Sequence, residues 1–250
     1  MTDTQTEAID LVSEKERLKQ VSDWYTAWGT ADHQVVKFLQ EEMQPFFRGT
    51  HALELGCSDG VWTRLLVEKF ERVVVVDAAE KYVNLLRAQL KDRNIEFHLN
   101  FFEEFETSEK FDAIFMINIL EHVLDPVQIM SRAARWLKPD GIILINVPNA
   151  ESVHRKIGQA LDMIPETTAL NPLDQRLGHR RVYTWDTLAA DVRASDLKLL
   201  HLGGVFLKVL SNAQMEQFFT PELMRAFYQV GREFPRQCAT IYAICGRESA

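Results

Sequence analysis

The stretch HALELGCSDGVWTRLLVEKFERVVVVD, residues 51–77, decides the fold. His51 to Leu55 is a short apolar strand, and Gly56-Cys-Ser-Asp-Gly60 turns the chain into a helical run from Val61 to Phe70. Arg72-Val-Val-Val-Val-Asp77 is then a β-branched run of the kind buried on both faces of a parallel sheet. Strand, glycine-rich turn, helix and strand make one βαβ unit, whose crossover is right-handed.

The alternation continues outward. Lys81 to Lys91 reads as a helix, Ile95 to Leu99 as a third strand and Phe111 to Ile117 as a fourth. Pro126 to Leu137 is a helix closed by Lys138-Pro-Asp-Gly141, and Ile142 to Val147 is a fifth strand. Trp185 to Ala194 and Pro221 to Gln229 read as helices, with Leu197 to Leu202 and Thr240 to Cys245 as the last two strands. The expected class is α/β, a doubly wound, mostly parallel, seven-stranded Rossmann-like sheet. Upstream, Leu11, Leu18, Val21 and Tyr25, and then Val35, Val36 and Leu39, recur at helical spacing on either side of Gly29-Thr30. Residues 1–48 are therefore an N-terminal helical cap on an α/β domain over 49–250. A polar insertion at about 150–182 is placed over the carboxyl ends of the strands.

Composition limits the partners. The formal net charge is −8 and no basic cluster exceeds His179-Arg180-Arg181, whereas a nucleic-acid binder needs a cationic stripe to neutralise phosphates. No nucleic-acid partner is expected. The 250 residues hold no apolar run of the ~20 residues that span a bilayer, and residues 1–20 lack the apolar core of a signal peptide. Cys57, Cys238 and Cys245 give an odd count without metal-ligand spacing, which reads as reduced thiols. A cytoplasmic monomer or homodimer without a membrane partner is the expectation.

In an open α/β sheet the ligand sits beyond the carboxyl ends of the strands, where strand order reverses. There Gly56 to Gly60 lets a ligand approach backbone N–H groups, and Asp77 ends the second strand. An acid at that position accepts hydrogen bonds from both ribose hydroxyls. Ser58 and Val61 stand where a dinucleotide fingerprint needs glycine. The turn also lacks the lysine and hydroxyl of a phosphate loop, so a nucleoside without pyrophosphate fits better. The same residues read as G-x-S-x-G, a hydrolase nucleophile elbow, but that elbow follows several strands and here only helices precede it.

Together these residues resemble the class I S-adenosylmethionine (SAM) dependent methyltransferases, in motif nearest the ubiquinone-biosynthesis O-methyltransferases and natural-product relatives. The resemblance is good over about residues 50–150. Glu54-Leu-Gly56-Cys57-Ser58-Asp-Gly60 is similar to the first motif, with Ser58 in place of the middle glycine, and Asp77 to the ribose acid. Phe102-Glu103 stands where the family clamps adenine, and the run from Phe111 through Met116, Ile117 and Asn118 to Pro126 resembles the fourth motif, which meets the methionine part of SAM. The resemblance implies SAM as co-substrate and methyl transfer to O or N of a small metabolite in quinone or secondary-metabolite biosynthesis. Some of those relatives are implied to hold magnesium through two acids and a histidine. Here Glu121 and His122 match but Asn118 replaces the other acid, so no metal is expected.

Methyl transfer requires near-attack geometry, a dry pocket and, for a hydroxyl acceptor, a base. His122, just past the fourth strand, is the candidate base, against a purely structural histidine; Glu121 is read as orienting a neighbouring loop or helix. Tyr25 is a candidate lid or sulfonium contact, and Trp24 a second lid residue lining the acceptor site, while Trp28 reads as packing. His179, Arg180 and Tyr183 are candidates for holding an acidic acceptor. Phe206 and Lys208, after Gly203-Gly204, lie near a further strand end, where a pocket role is the less favoured reading. Two other activities use the same residues: internal attack on the aminobutyl chain, giving a cyclic amino acid and methylthioadenosine, and nucleoside binding without catalysis.

Overall fold

The computed structural model describes residues 11–26 and 30–247, with no side-chain description for 11–15; Trp28 lies outside the described residues. Helices α1 (Leu11–Trp24) and α2 (Ala31–Met43) lead into β1 (His51–Leu55), α3 (Val61–Lys69), β2 (Arg72–Asp77), α4 (Glu80–Gln89), β3 (Ile95–Leu99) and β4 (Phe111–Ile117). There follow α5 (Pro126–Trp136), β5 (Leu137–Pro148), α6 (Val153–Ala160), α7 (Pro172–Leu177), α8 (Trp185–Ala194) and β6 (Leu197–Val205). The chain closes with α9 (Asn212–Phe218), α10 (Pro221–Gly231) and β7 (Thr240–Arg247). No described helix is long and apolar enough to cross a membrane.

The strands form one seven-stranded sheet in the order β3-β2-β1-β4-β5-β7-β6. β1 to β5 are parallel, and β7 runs antiparallel to both β5 and β6. The doubly wound expectation holds, and the order reverses between β1 and β4, which opens a crevice beyond their carboxyl ends. Alternation along each strand divides the core into two. Leu53, Leu55, Val74 and Val76 face one side with Ile129 and Met130 of α5 and Leu188 and Val192 of α8. Ala52, Val73 and Val75 face the other, with Phe38 of α2, Trp62 of α3, Leu86 of α4, Met215 of α9 and Tyr228 of α10. Val73 to Val76 are all at most 2% exposed, and each such valine contributes about 1.5–3 kcal/mol.

Local chemistry sets the helix starts. Pro126 opens α5 behind Asp125, whose carboxylate accepts from the Gln128 N–H at 2.9 Å. Asn171 and Asp174 form a capping box on α7, and Thr184 and Thr187 one on α8. Two segments differ from the sequence reading. Lys138 to Gly141 belongs to β5, because Phe111 pairs with Leu137 before the register shifts to Ala113–Ile142. The short α9 is too brief to show periodicity; only Met215 of its residues is buried, and Phe218 is 69% exposed.

Asp112 joins β1 to β5 at the end of the sheet away from the crevice. Its carboxylate accepts from the Thr50 and His51 N–H groups at 3.0 and 2.9 Å and pairs with Lys138 at 2.8 Å. Partial burial opposes ionisation, but Lys138 and the two N–H donors outweigh it and hold the carboxyl below its usual range. Replacing Asp112→Asn removes the ion pair and keeps the shape. The variant is expected to lose about 1–2 kcal/mol of stability in urea unfolding at pH 7. That loss should shrink as pH falls below about 4, where the wild-type carboxylate protonates in the unfolded chain and then in the fold.

Candidate functional site

The turn after β1 is held by β2. One oxygen of Asp77 accepts from the Cys57 N–H at 2.8 Å, the Ser58 N–H at 3.3 Å and the Cys57 thiol at 3.4 Å. The other accepts from Ala79 N–H at 2.7 Å. Burial pushes the Asp77 carboxyl above its ordinary range against these four donors, and it raises the Cys57 thiol strongly, so this cysteine stays protonated. Gly56 and Gly60 have φ of +80° and +83°. A Cβ on Gly56 would lie 2.2 Å from Ile119, and one on Gly60 2.3 Å from Leu86. Ser58, which replaces the resembled family's glycine, also takes a left-handed φ of +45°.

Beneath the turn, Glu54 is fully enclosed and accepts from the Thr63 hydroxyl at 2.7 Å. Burial raises its pKa to about 8, opposed by the Thr63 bond and reinforced by Asp77, so Glu54 is largely neutral at pH 7.

A cavity of about 420 Å³ opens above these residues, a size suited to a small-molecule site. Tyr25, Glu54, Gly56, Cys57, Ser58, Asp77, Phe102, Glu103, Ile117, Asn118, His122, His179 and Arg180 line it. Four predicted residues do not. Gly60 caps α3 behind the turn, and Met116 is wholly in the core. Trp24 lies outside with Arg176 of α7 stacked over its ring at 3.9 Å. Tyr183 is buried, its hydroxyl donating to Asp191 at 2.9 Å. Trp24 and Tyr183 are thus packing and hydrogen-bonding residues here, since each has its polar or aromatic surface occupied away from the cavity.

Roof and floor come from elements far apart in sequence. Leu18, Val21 and Tyr25 of the first segment and Val35, Val36 and Leu39 of α2 turn toward the cavity. Arg17 donates to the Gly178 carbonyl at 3.0 Å, tying α1 to the segment after α7. The two arginines of the basic trio expected to meet an acidic acceptor clamp the turn after β4. The Arg180 N–H and Nε donate to the carbonyls of Glu121 and His122, both at 2.8 Å. Arg181 donates to the carbonyls of Leu120, Val123 and Leu124.

That clamp buries Glu121 completely, and neither carboxylate oxygen has a hydrogen-bond partner. Burial raises Glu121 to about 7, partly offset by His179. His122 moves the opposite way. Burial, then His179 and Arg17, lower it to about 3 against a hydrogen bond that the ring donates to the Gly178 backbone. The ring stays neutral near pH 7 and is a poor proton acceptor, whereas Glu121 titrates near neutrality. The sequence showed an acid next to the histidine but not its isolation, which Arg180 and Arg181 impose from 60 residues away.

His179 lies with its ring 4.8 Å from that of His122, and its Nδ1 is 3.3 Å from Asp174. Glu121, His122 and His179 bring one ligand atom each within 4.8 Å of one another. One carboxylate and two imidazoles do not fit magnesium, which prefers oxygen ligands; they are the donors a nitrogen-binding divalent ion takes. Asn118, in the left-handed region at φ +53°, supplies no second acid.

A family model described as a methyltransferase domain matches residues 27–202. A ubiquinone biosynthesis O-methyltransferase of Actinobacillus pleuropneumoniae is 23% identical over 188 residues, covering 70% of this chain and 79% of that enzyme. The enzyme of the same name from Coxiella burnetii is 27% identical over 147 residues, covering 54% of this chain and 63% of the relative, a little under two-thirds of its length. Among solved structures, the 1,6-didemethyltoxoflavin-N1-methyltransferase of Burkholderia thailandensis superposes with a TM-score of 0.65 at 16% identity, over 99% of this chain and 94% of that one. The N-methyltransferase NodS of Bradyrhizobium japonicum, solved with S-adenosylhomocysteine (SAH), gives 0.60 at 14% identity, over 95% and 98%. With its glycine-rich turn at the sheet's switch point, the chain belongs to the methyltransferase-domain family and is a SAM-dependent methyltransferase.

Proposed function

We propose that the chain transfers the methyl group of SAM to an oxygen or nitrogen of a small metabolite, in the biosynthesis of a quinone or secondary metabolite. The observation that carries this is one cavity running from the Asp77-held turn to the buried, unpartnered carboxylate of Glu121. Its relatives include enzymes named for O- and for N-methylation.

Gly56, Cys57, Ser58 and Asp77 hold the ribose and methionine parts of SAM, with Glu54 and Gly60 fixing the turn from below and behind. Phe102 and Glu103 flank the adenine, and Ile117 and Asn118 meet the aminobutyl chain. The described residues up to 48 and about 150–182 form the cover, supported by the Arg17–Gly178 bond and by Arg176 over Trp24. The acceptor attacks the methyl carbon in line as the carbon–sulfur bond breaks, and the sulfonium charge is neutralised. No acid is needed at the leaving sulfur. What remains is the acceptor's proton, which Glu121 takes; Tyr25 shields the sulfonium, and neutral His122 orients the acceptor through a hydrogen bond.

Incubation with SAM alone and then with candidate acceptors, followed by mass spectrometry, tests the reaction. SAH formed only with an acceptor is expected; methylthioadenosine from SAM alone would replace methyl transfer with attack on the aminobutyl chain. Protein that binds SAM without product would point to a non-catalytic nucleoside binder.

A base must be ionised to act. With Glu121 raised to about 7, kcat/KM for a hydroxyl acceptor should rise with pH through about 7 and level off above it. Glu121→Gln should abolish that limb and lower kcat/KM by about 100-fold or more. An unchanged limb in this variant would reassign the base. Asp77→Asn should weaken SAH binding by about 10- to 100-fold by calorimetry, because charge-assisted bonds become neutral ones.

A further inference from the structure

We propose that the acceptor end of the cavity reads an anion: Lys208 and His154 together receive a carboxylate or phosphate carried by the methyl acceptor. The inference rests on the SAM reading of the opposite end and adds a substrate class to it.

Lys208 and His154 both line the cavity. The backbone that aims Lys208 is strained. Phe206, a fully buried non-glycine residue at the end of β6, has φ of +67°. Its carbonyl accepts from the Ala239 N–H at 2.7 Å and the Lys208 N–H at 2.9 Å, which locks the bend. The Lys208 carbonyl in turn accepts from the His154 N–H at 3.0 Å, joining the start of α6 to the same wall.

Both side chains are short of partners. The Lys208 ammonium donates to the neutral Asn212 amide oxygen and makes no ion pair among the described residues, which leaves two of its three donors. Nδ1 of His154 is buried with no hydrogen-bond partner. Burial depresses the Lys208 pKa against the attraction of Asp32. Burial, with Lys208 and Arg155, holds His154 at about 3. An anion between them relieves both penalties, because it favours the charged form of each.

Arg155 pairs with Asp174 at 3.0 Å and donates to the carbonyls of Thr167 and Ala169. Asp32, on α2, shares the cavity but forms no ion pair with Lys208. Arg180 and Arg181 donate to the carbonyls after β4, whereas Lys208 keeps two donors for a ligand.

Binding is measured on SAH-saturated protein with benzoate, phenyl phosphate and benzamide, by calorimetry and by the NMR resonances of the His154 ring. One of the anions should saturate the site and move the His154 ring toward its protonated form, while benzamide does neither. Preference between benzoate and phenyl phosphate separates a carboxylate from a phosphate acceptor. Lys208→Met should weaken the anion at least tenfold, and Lys208→Arg should restore most of it, with SAH affinity unchanged in both. Benzamide binding as tightly as the anions, no binding of either anion, or unaltered anion affinity in Lys208→Met overturns the subsite. Wild-type protein that fails to bind SAH would instead overturn the SAM reading beneath it.

Discussion

Four donors converging on the Asp77 carboxylate hold this site together. The acid closes β2 and gathers the backbone of Cys57 and Ser58 from the turn after β1, and that of Ala79 from the start of the next crossover. Buried carboxylates are costly unless hydrogen-bonded, and buried N–H groups are costly unless accepted. Each therefore compels the other. With the turn pinned, Gly56 and Gly60 adopt the left-handed conformations that leave room for Ile119 and Leu86. Even Ser58, with a Cβ to accommodate, is held there.

The second constraint comes from the opposite direction. The segment after α7 folds back over the turn after β4, donating its N–H and guanidinium groups to five consecutive carbonyls from Leu120 to Leu124. That clamp leaves the Glu121 carboxylate inside without a partner, and it brings His179 beside His122. Two neighbouring residues consequently titrate in opposite senses. Desolvation disfavours charge on both, which raises an acid and lowers a base. The opposite shifts of Glu121 and His122 follow from burial acting on an acid and on a base.

The two ends of the cavity differ in how they are built. The end at the Asp77-held turn uses main-chain groups of adjacent strands, so its geometry is fixed by the sheet. The opposite end is assembled from α2, α6 and the bend after β6, elements distant in sequence, with the His154 N–H donating to the Lys208 carbonyl. Differences in acceptor among relatives of one fold are consistent with that division, since fold sets the scaffold and the site sets the chemistry.

The sequence by itself determined the sheet, its seven strands and the turn at its switch point. Each rests on local rules: alternation of βα units, β-branched runs such as Val73 to Val76, and glycines ahead of a helix. It also brought most of the cavity-lining residues at the turn into view, because Glu54 to Asp77 are neighbours through one βαβ unit. It misread what depends on distant packing. Tyr183 and Trp24 have partners in Asp191 and Arg176, Arg180 and Arg181 of the basic trio donate to carbonyls, and Lys208 is aimed inward by a strained bend at Phe206. Burial and the identity of a hydrogen-bond partner are properties of elements brought together across the chain, so only the tertiary structure decided them.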